Sequence, residues 1–270
     1  MQMTEMRNEN SRGLDKMSTQ QMIAVMNQEN YNAVKAVEKA SAEITKAIDT
    51  IAERMAHGGR LFYIGAGTSG RLGVLDASEC PPTFGVDSSL VVGIIAGGKD
   101  ALTYSSEGAE DVETAGIHDL MEAGITQKDS VVGISAAGNA QYVVGALKYA
   151  KELGASAIGL TCNKDCLMAE VADILIVTDT GPEVLTGSTR LKAGTAHKLV
   201  LNMLSTFTMV KMGHVYDNYM INVKPVNIKL RKRCIRIIQQ ITGADEKTAE
   251  KVLDETGGSI QKSIEIILGG

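Results

Sequence analysis

The chain has 270 residues, of which 44% are hydrophobic and 22% charged, and it carries a net charge of −5. That length holds one large domain, or one medium domain with a small appendage. The acidic balance argues against a general nucleic-acid binder, which carries a basic surplus, and no run of roughly 18 apolar residues is present to cross a bilayer.

Residues 18–57 read as helix. Ser18 and Thr19 offer caps, and Val34, Val37, Ile44, Ile48, Ile51 and Met55 recur at threes and fours until Gly58-Gly59 supplies a stop. The pattern then switches to short, nearly continuous apolar runs. These are Leu61–Ile64, Val91–Ile95, Val131–Ile134, Ala157–Leu160 and Ile174–Val177. Runs of that kind suit strands buried on both faces. Between them, 105–123 and 141–153 can be helical, so strand alternates with helix, as in a parallel sheet with right-handed crossovers and helices on both sides. Ligands in such sheets bind beyond the carboxyl ends of the strands. A polar loop, 181–190, precedes a long helix over roughly 191–212. From 226 onward three short amphipathic segments, separated by Gly243 and Gly257-Gly258, form a small bundle that resembles a ubiquitin-associated module in outline.

Composition adds two expectations. The stretch Met1 to Lys16 lacks the apolar core of a secretory signal. The four cysteines, at 80, 162, 166 and 234, form no dense framework, which fits a reducing cytoplasm. Cys162 and Cys166 have no second Cys or His pair at zinc spacing, so no metal site is expected.

The first strand runs into Gly65-Ala66-Gly67-Thr68-Ser69-Gly70. Backbone amides freed by glycine at a helix start make an anion site, and the Thr68 and Ser69 hydroxyls add donors. The string satisfies the dinucleotide pattern G-x-G-x-x-G, but that pattern wants an acidic residue at the end of the second strand to hold a ribose. Here the strand ends in Ala96-Gly97-Gly98, with Asp100 too far along. A monophosphate is therefore the expected ligand at Gly67, Thr68 and Ser69, in preference to NAD.

The segments Gly65–Gly73 and Leu75–Gly85, Glu107–Asp111 (EGAED) and Gly181–Ala196 (GPEVLTGSTRLKAGTA) together resemble the N-acetylmuramic acid 6-phosphate etherases, and the resemblance covers nearly the whole chain. It implies an α/β fold of the sugar isomerase (SIS) type, a parallel sheet flanked by helices with a small C-terminal three-helix bundle. The organisation expected is N-terminal helices at 1–57, a sugar-phosphate-binding domain at 58–225 that includes the long helix, and the bundle at 226–270. The resemblance further implies a homodimer with no metal, nucleotide or other cofactor. The implied reaction is cleavage of the D-lactyl ether of N-acetylmuramic acid 6-phosphate, giving N-acetylglucosamine 6-phosphate and D-lactate in cell-wall recycling.

That chemistry asks for two carboxyl groups. In the open-chain sugar the C1 aldehyde acidifies the C2 hydrogen; a base removes it, an acid protonates the departing lactate oxygen at C3, and water adds to the double bond. Glu79 matches the family's acid, a role that calls for a partly desolvated carboxyl. Glu110 matches the second catalytic position, the C2 base. Ser135, Gly138 and Asn139 after the third strand, and Ser188, Arg190 and Lys192 in the polar loop, are the remaining candidate substrate contacts, with Arg190 or Lys192 available to pair the lactyl carboxylate. His197 reads as a packed or capping residue, and Arg71 sits near the phosphate loop, with a salt bridge at the helix surface as its other reading. One loop departs from the family. Where the family reads Ala-Ala-Ser-Gly-Arg-Thr-Pro-Tyr, this chain has Ser135-Ala136-Ala137-Gly138-Asn139-Ala140-Gln141-Tyr142. Two hydroxyls and a cation are lost, which weakens the expected phosphate grip and keeps open an alternative: a non-catalytic sugar-phosphate-binding regulator on the same fold.

Overall fold

A computed structural model describes residues 3–269. The chain divides into two compact units. The first comprises 1–77 and 89–208, the second 78–88 and 209–270.

The first unit is built on a five-stranded parallel sheet of β1 (Leu61–Gly65), β2 (Val91–Ile95), β3 (Ser130–Ile134), β4 (Ser156–Thr161) and β5 (Ile174–Val177), in the order β2-β1-β3-β4-β5. Every residue of β1, β3 and β4 is buried, which is why their sequences read as unbroken apolar runs. Strand parity assigns the two faces. Phe62, Ile64 and Val131 share a core with Tyr142, Val143 and Leu147 of α5 (Gln141–Leu153) and Leu120 of α4 (Glu113–Glu122). Tyr63 and Ile134 face the other way, where a methyl group on Gly73 of α3 (Gly67–Phe84) would stand 2.9 Å from Tyr63 Cβ and 3.3 Å from Ile134 Cδ1. Helices therefore cover both faces of the sheet. A short helix, α6 (Leu167–Val171), joins β4 to β5, and α7 (Lys192–Lys211) follows the polar loop.

The expected helix over 18–57 is two helices, α1 (Thr19–Lys39) and α2 (Ser41–Ala56). The break falls at Ala40, whose N–H donates to Val37 O at 3.1 Å, and the Ser41 hydroxyl donates to the Glu38 carbonyl. Ser18 caps α1 through a reciprocal bond with Gln21. Ile44, Ala47, Ile48, Ile51 and Met55 form the buried stripe of α2.

In the second unit, β6 (Val215–Tyr216) and β7 (Tyr219–Met220) form a short antiparallel pair. The bundle follows as α8 (Ile228–Thr242), α9 (Glu246–Glu255) and α10 (Ile260–Gly269). Asn227 and Asp245 cap α8 and α9 by accepting from Leu230 N and Thr248 N. Cys234, Ile235, Ile238, Ala249, Leu253 and Ile264 pack into one core. Leu268, apolar in the sequence pattern, is exposed on the last turn.

Candidate active site

The sheet order reverses direction between β1 and β3, the switch point at which ligands of open parallel sheets bind. The loops leaving these two strands are Gly65–Gly70 and Ser135–Ala140, and the β1–β3 register aligns Gly65 with Ile134, so both loops start level. Between them lies a cavity of about 350 Å³.

Two helix starts meet at this cavity. In α3 the first helical bond is Gly70 N to Ala66 O at 3.2 Å, which leaves the amides of Gly67, Thr68 and Ser69 without intrahelical partners. Gly70 has to be glycine, because a Cβ there would lie 2.5 Å from Gly65 O and 2.6 Å from Ile95 Cγ1. α5 begins after Ala140 with no side-chain cap, so its first amides are open as well. Each helix start carries the positive end of its dipole. The start of α7 is different: Glu183 Oε2 accepts from Lys192 N at 3.1 Å and Oε1 from Ala193 N at 3.0 Å. An internal carboxylate already occupies that helix end, so α3 and α5 are the ends that can hold an external anion.

Gly67, Thr68, Ser69 and Ser135 all line the cavity, and so does Glu110, carried by the 3-10 turn Ala109–Asp111. Glu79 lies in the second unit, on the later turns of α3, where its side chain is exposed; it is not among the residues lining this cavity. Gly138 and Asn139 stand behind the wall. Gly138 N donates to Ser135 Oγ at 3.1 Å, orienting that hydroxyl. Its φ of 77° and the 2.5 Å that would separate a Cβ from Cys166 Sγ exclude any other residue there. Asn139 Oδ1 accepts from Leu167 N at 2.9 Å, which fixes the start of α6. In the polar loop the cavity takes Gly187 and Thr189 rather than Ser188, and Arg190 is exposed outside it.

Lys192, expected at the substrate, is buried and committed elsewhere. Its ammonium pairs with Glu29 of α1 and donates to Pro182 O at 2.7 Å. Glu29 also accepts from Asn8 and Asn10, each at 2.8 Å. Burial alone would raise the Glu29 carboxyl, but these bonds, Lys192 first, outweigh it and hold it below the usual carboxylate range. Burial lifts the Glu183 carboxyl above that range, against the pull of its two amide donors.

Of the other lining residues, Glu5 carried no sequence signal of its own. Glu5 reaches the cavity from the N-terminal segment, with Oε2 3.4 Å from where a Gly187 Cβ would stand. Ala137 and Ala140 present methyl groups where hydroxyls were expected of the family. His197 of α7, read as a packed residue, is buried but does line the cavity. Burial pushes its imidazole down to about 4, so it is neutral near pH 7, and Nε2 lies 3.6 Å from Cys162 Sγ. Burial likewise pushes the Cys162 thiol up to about 11. Among the described residues, no lysine or arginine lines this cavity. Amides, hydroxyls and helix ends must carry the whole attraction for an anion.

Relatives decide the family. Over 98% of this chain and 87% of the relative's length, it is 52% identical to an N-acetylmuramic acid 6-phosphate etherase of Caldanaerobacter subterraneus subsp. tengcongensis. It is 51% identical to one of Serratia proteamaculans over 99% of this chain and 90% of that one. This chain belongs to the N-acetylmuramic acid 6-phosphate etherase family. The family's SIS character is visible in two matches: the glucokinase regulatory protein N-terminal SIS domain over residues 43–151, and the SIS domain over residues 101–206. Among solved structures, a phosphoheptose isomerase of Neisseria gonorrhoeae aligns with a TM-score of 0.55 at 21% identity, over 71% of this chain and 98% of that one, which supports the SIS-type fold.

Proposed function

We propose that this chain is a carbon–oxygen lyase that cleaves the D-lactyl ether of N-acetylmuramic acid 6-phosphate by elimination and then hydration. The observation that carries the reading is the cavity at the β1/β3 switch point. It joins two open helix starts and the Thr68, Ser69 and Ser135 hydroxyls to two carboxylates, Glu110 and Glu5. The phosphate docks on the amides of Gly67, Thr68 and Ser69. Glu110 removes the proton from C2, whose electrons form the C2=C3 double bond as the C3–O bond breaks. The departing lactate oxygen takes a proton from an acid; the resemblance to the family alone gives that role to Glu79, which is exposed and does not line this cavity. Water then adds its oxygen to C3 and a proton to C2, giving N-acetylglucosamine 6-phosphate. Each positioned proton transfer contributes about 10²–10⁴-fold.

The same reading includes a cytoplasmic homodimer. Ile23, Tyr31 and Val34 lie exposed along α1, a face that a second copy would cover. No helix among the described residues is long and apolar enough to cross a membrane.

D-lactate release from N-acetylmuramic acid 6-phosphate tests the proposal. Wild type releases it, and Glu110→Gln and Glu79→Gln each lose most of the rate. A second reading rests on Ala137 and Ala140, which leave the phosphate loop without hydroxyls at two lining positions: a regulator that binds the sugar phosphate without cleaving it. Tight binding by wild type with no lactate released decides for the regulator.

A further inference from the structure

A second cavity, of about 300 Å³, lies beside the first and shares Ala66, Gly67 and Glu110 with it. Its far wall is the 105–108 turn, and its floor includes Arg71 of α3. Arg71 is the one cationic side chain among the residues lining either cavity. Its guanidinium is held in place: Nε donates to Leu102 O and Nη2 to Tyr104 O, both at 3.0 Å. Nη1 has no partner among the described residues and remains available. Ser106 and Ser105 add hydroxyls on the same wall; Ser106 is packed over Gly97, where a Cβ would lie 2.6 Å from its Oγ.

The other cations suggested for the lactyl carboxylate are not at either cavity. Lys192 is paired with Glu29, and Arg190 is exposed and lines neither. We infer that the Arg71 compartment is the lactyl subsite, binding the carboxylate of the ether arm through Nη1 of Arg71 and the Ser105–Ser106 hydroxyls. This rests on the proposed function above. The substrate carries its two anions at opposite ends, phosphate at C6 and carboxylate on the C3 ether, with the reacting C2 and C3 between them. The protein has two compartments with Glu110 on the wall they share. The donors select which anion goes where. The first cavity offers amide donors at two helix starts. Each cavity is lined by two carboxylates, Glu5 and Glu110 in the first and Glu107 and Glu110 in the second; only the second adds a guanidinium, whose planar fork pairs a carboxylate directly.

Equilibrium binding on a Glu110→Gln background, in which turnover is suppressed, separates the subsite from the chemistry. The ligands are N-acetylmuramic acid 6-phosphate and N-acetylglucosamine 6-phosphate, which lacks the lactyl arm, and the measurement is calorimetric. Adding Arg71→Met is expected to weaken the lactyl-bearing ligand by about tenfold or more, the loss of a charge-assisted bond, and the other ligand by less than twofold. Ser106→Ala, which leaves the Arg71 anchors intact, shifts affinity in the same selective direction by a few-fold. Equal losses on both ligands would assign Arg71 to loop structure alone, and no loss on either would place the arm elsewhere; both overturn the inference. Absence of lactate release from wild type would sink the proposed function instead, and the ratio of the two affinities still decides the subsite.

Discussion

Two sets of acid and base residues in the first unit invite comparison. Glu29 and Lys192 are sealed in the interior, their polar atoms shared among Asn8, Asn10 and Pro182 O. Glu110 and Arg71 line open cavities, and Arg71 keeps one nitrogen unsatisfied. Both sets contain a carboxylate and a cation; their surroundings assign them opposite work. A buried pair whose two charges meet each other inside the fold holds segments together, here the N-terminal segment, α1 and the start of α7. A charge with spare capacity facing a cavity can meet a ligand. The comparison teaches that satisfaction, more than residue type, separates scaffold from site.

The sharpest way to break this comparison is Lys192→Met. It leaves the Glu29 carboxylate buried without its cation and is expected to cost about 3–5 kcal/mol in urea denaturation, with Glu29→Leu in the same chain recovering most of it. If Lys192→Met instead kept full stability and raised KM alone, Lys192 would belong to the substrate site. Glu110→Gln should show the converse: lactate release lower by about 10²–10⁴-fold with the denaturation midpoint unchanged.

His197 sharpens the contrast through pH. Its folded value of about 4 lies below the ordinary 6.5, so as pH falls through that interval the unfolded chain takes up a proton that the fold refuses. Stability is fully present above 6.5 and declines towards 4, by about 3 kcal/mol. Glu29, held low, adds stability that is lost only at lower pH, below the ordinary carboxylate value. His197→Gln should flatten the 6.5-to-4 interval in pH-dependent denaturation and leave the more acidic loss in place. The smallest effect is expected from Ala137→Ser. A restored hydroxyl beside the phosphate site should lower KM by up to about tenfold, since a typical hydrogen bond is worth about 0.5–1.5 kcal/mol. An unchanged KM would mean that position 137 does not face the phosphate.

Much of this was legible in the sequence, for physical reasons that also mark where reading stops. β1, β3 and β4 are buried on both faces, so each shows as an unbroken apolar run between glycines. The open helix start was readable because it is a local motif: Gly67, Thr68 and Ser69 are consecutive. The bundle was readable because its faces repeat at three and four. Lys192 was misplaced because its partner, Glu29, stands 163 residues away, and no local pattern reports such a pairing. Glu5 and His197 reach the cavity from distant segments for the same reason. The break at Ala40 carries no glycine or proline, so nothing in the sequence interrupts the apolar stripe there.

Running the reaction in deuterium oxide enriched in oxygen-18 tests the elimination most directly. The account predicts N-acetylglucosamine 6-phosphate with deuterium at C2 and oxygen-18 at C3, and D-lactate that keeps the original ether oxygen. Product with unexchanged hydrogen at C2, or heavy oxygen delivered to the lactate carbon, would contradict it.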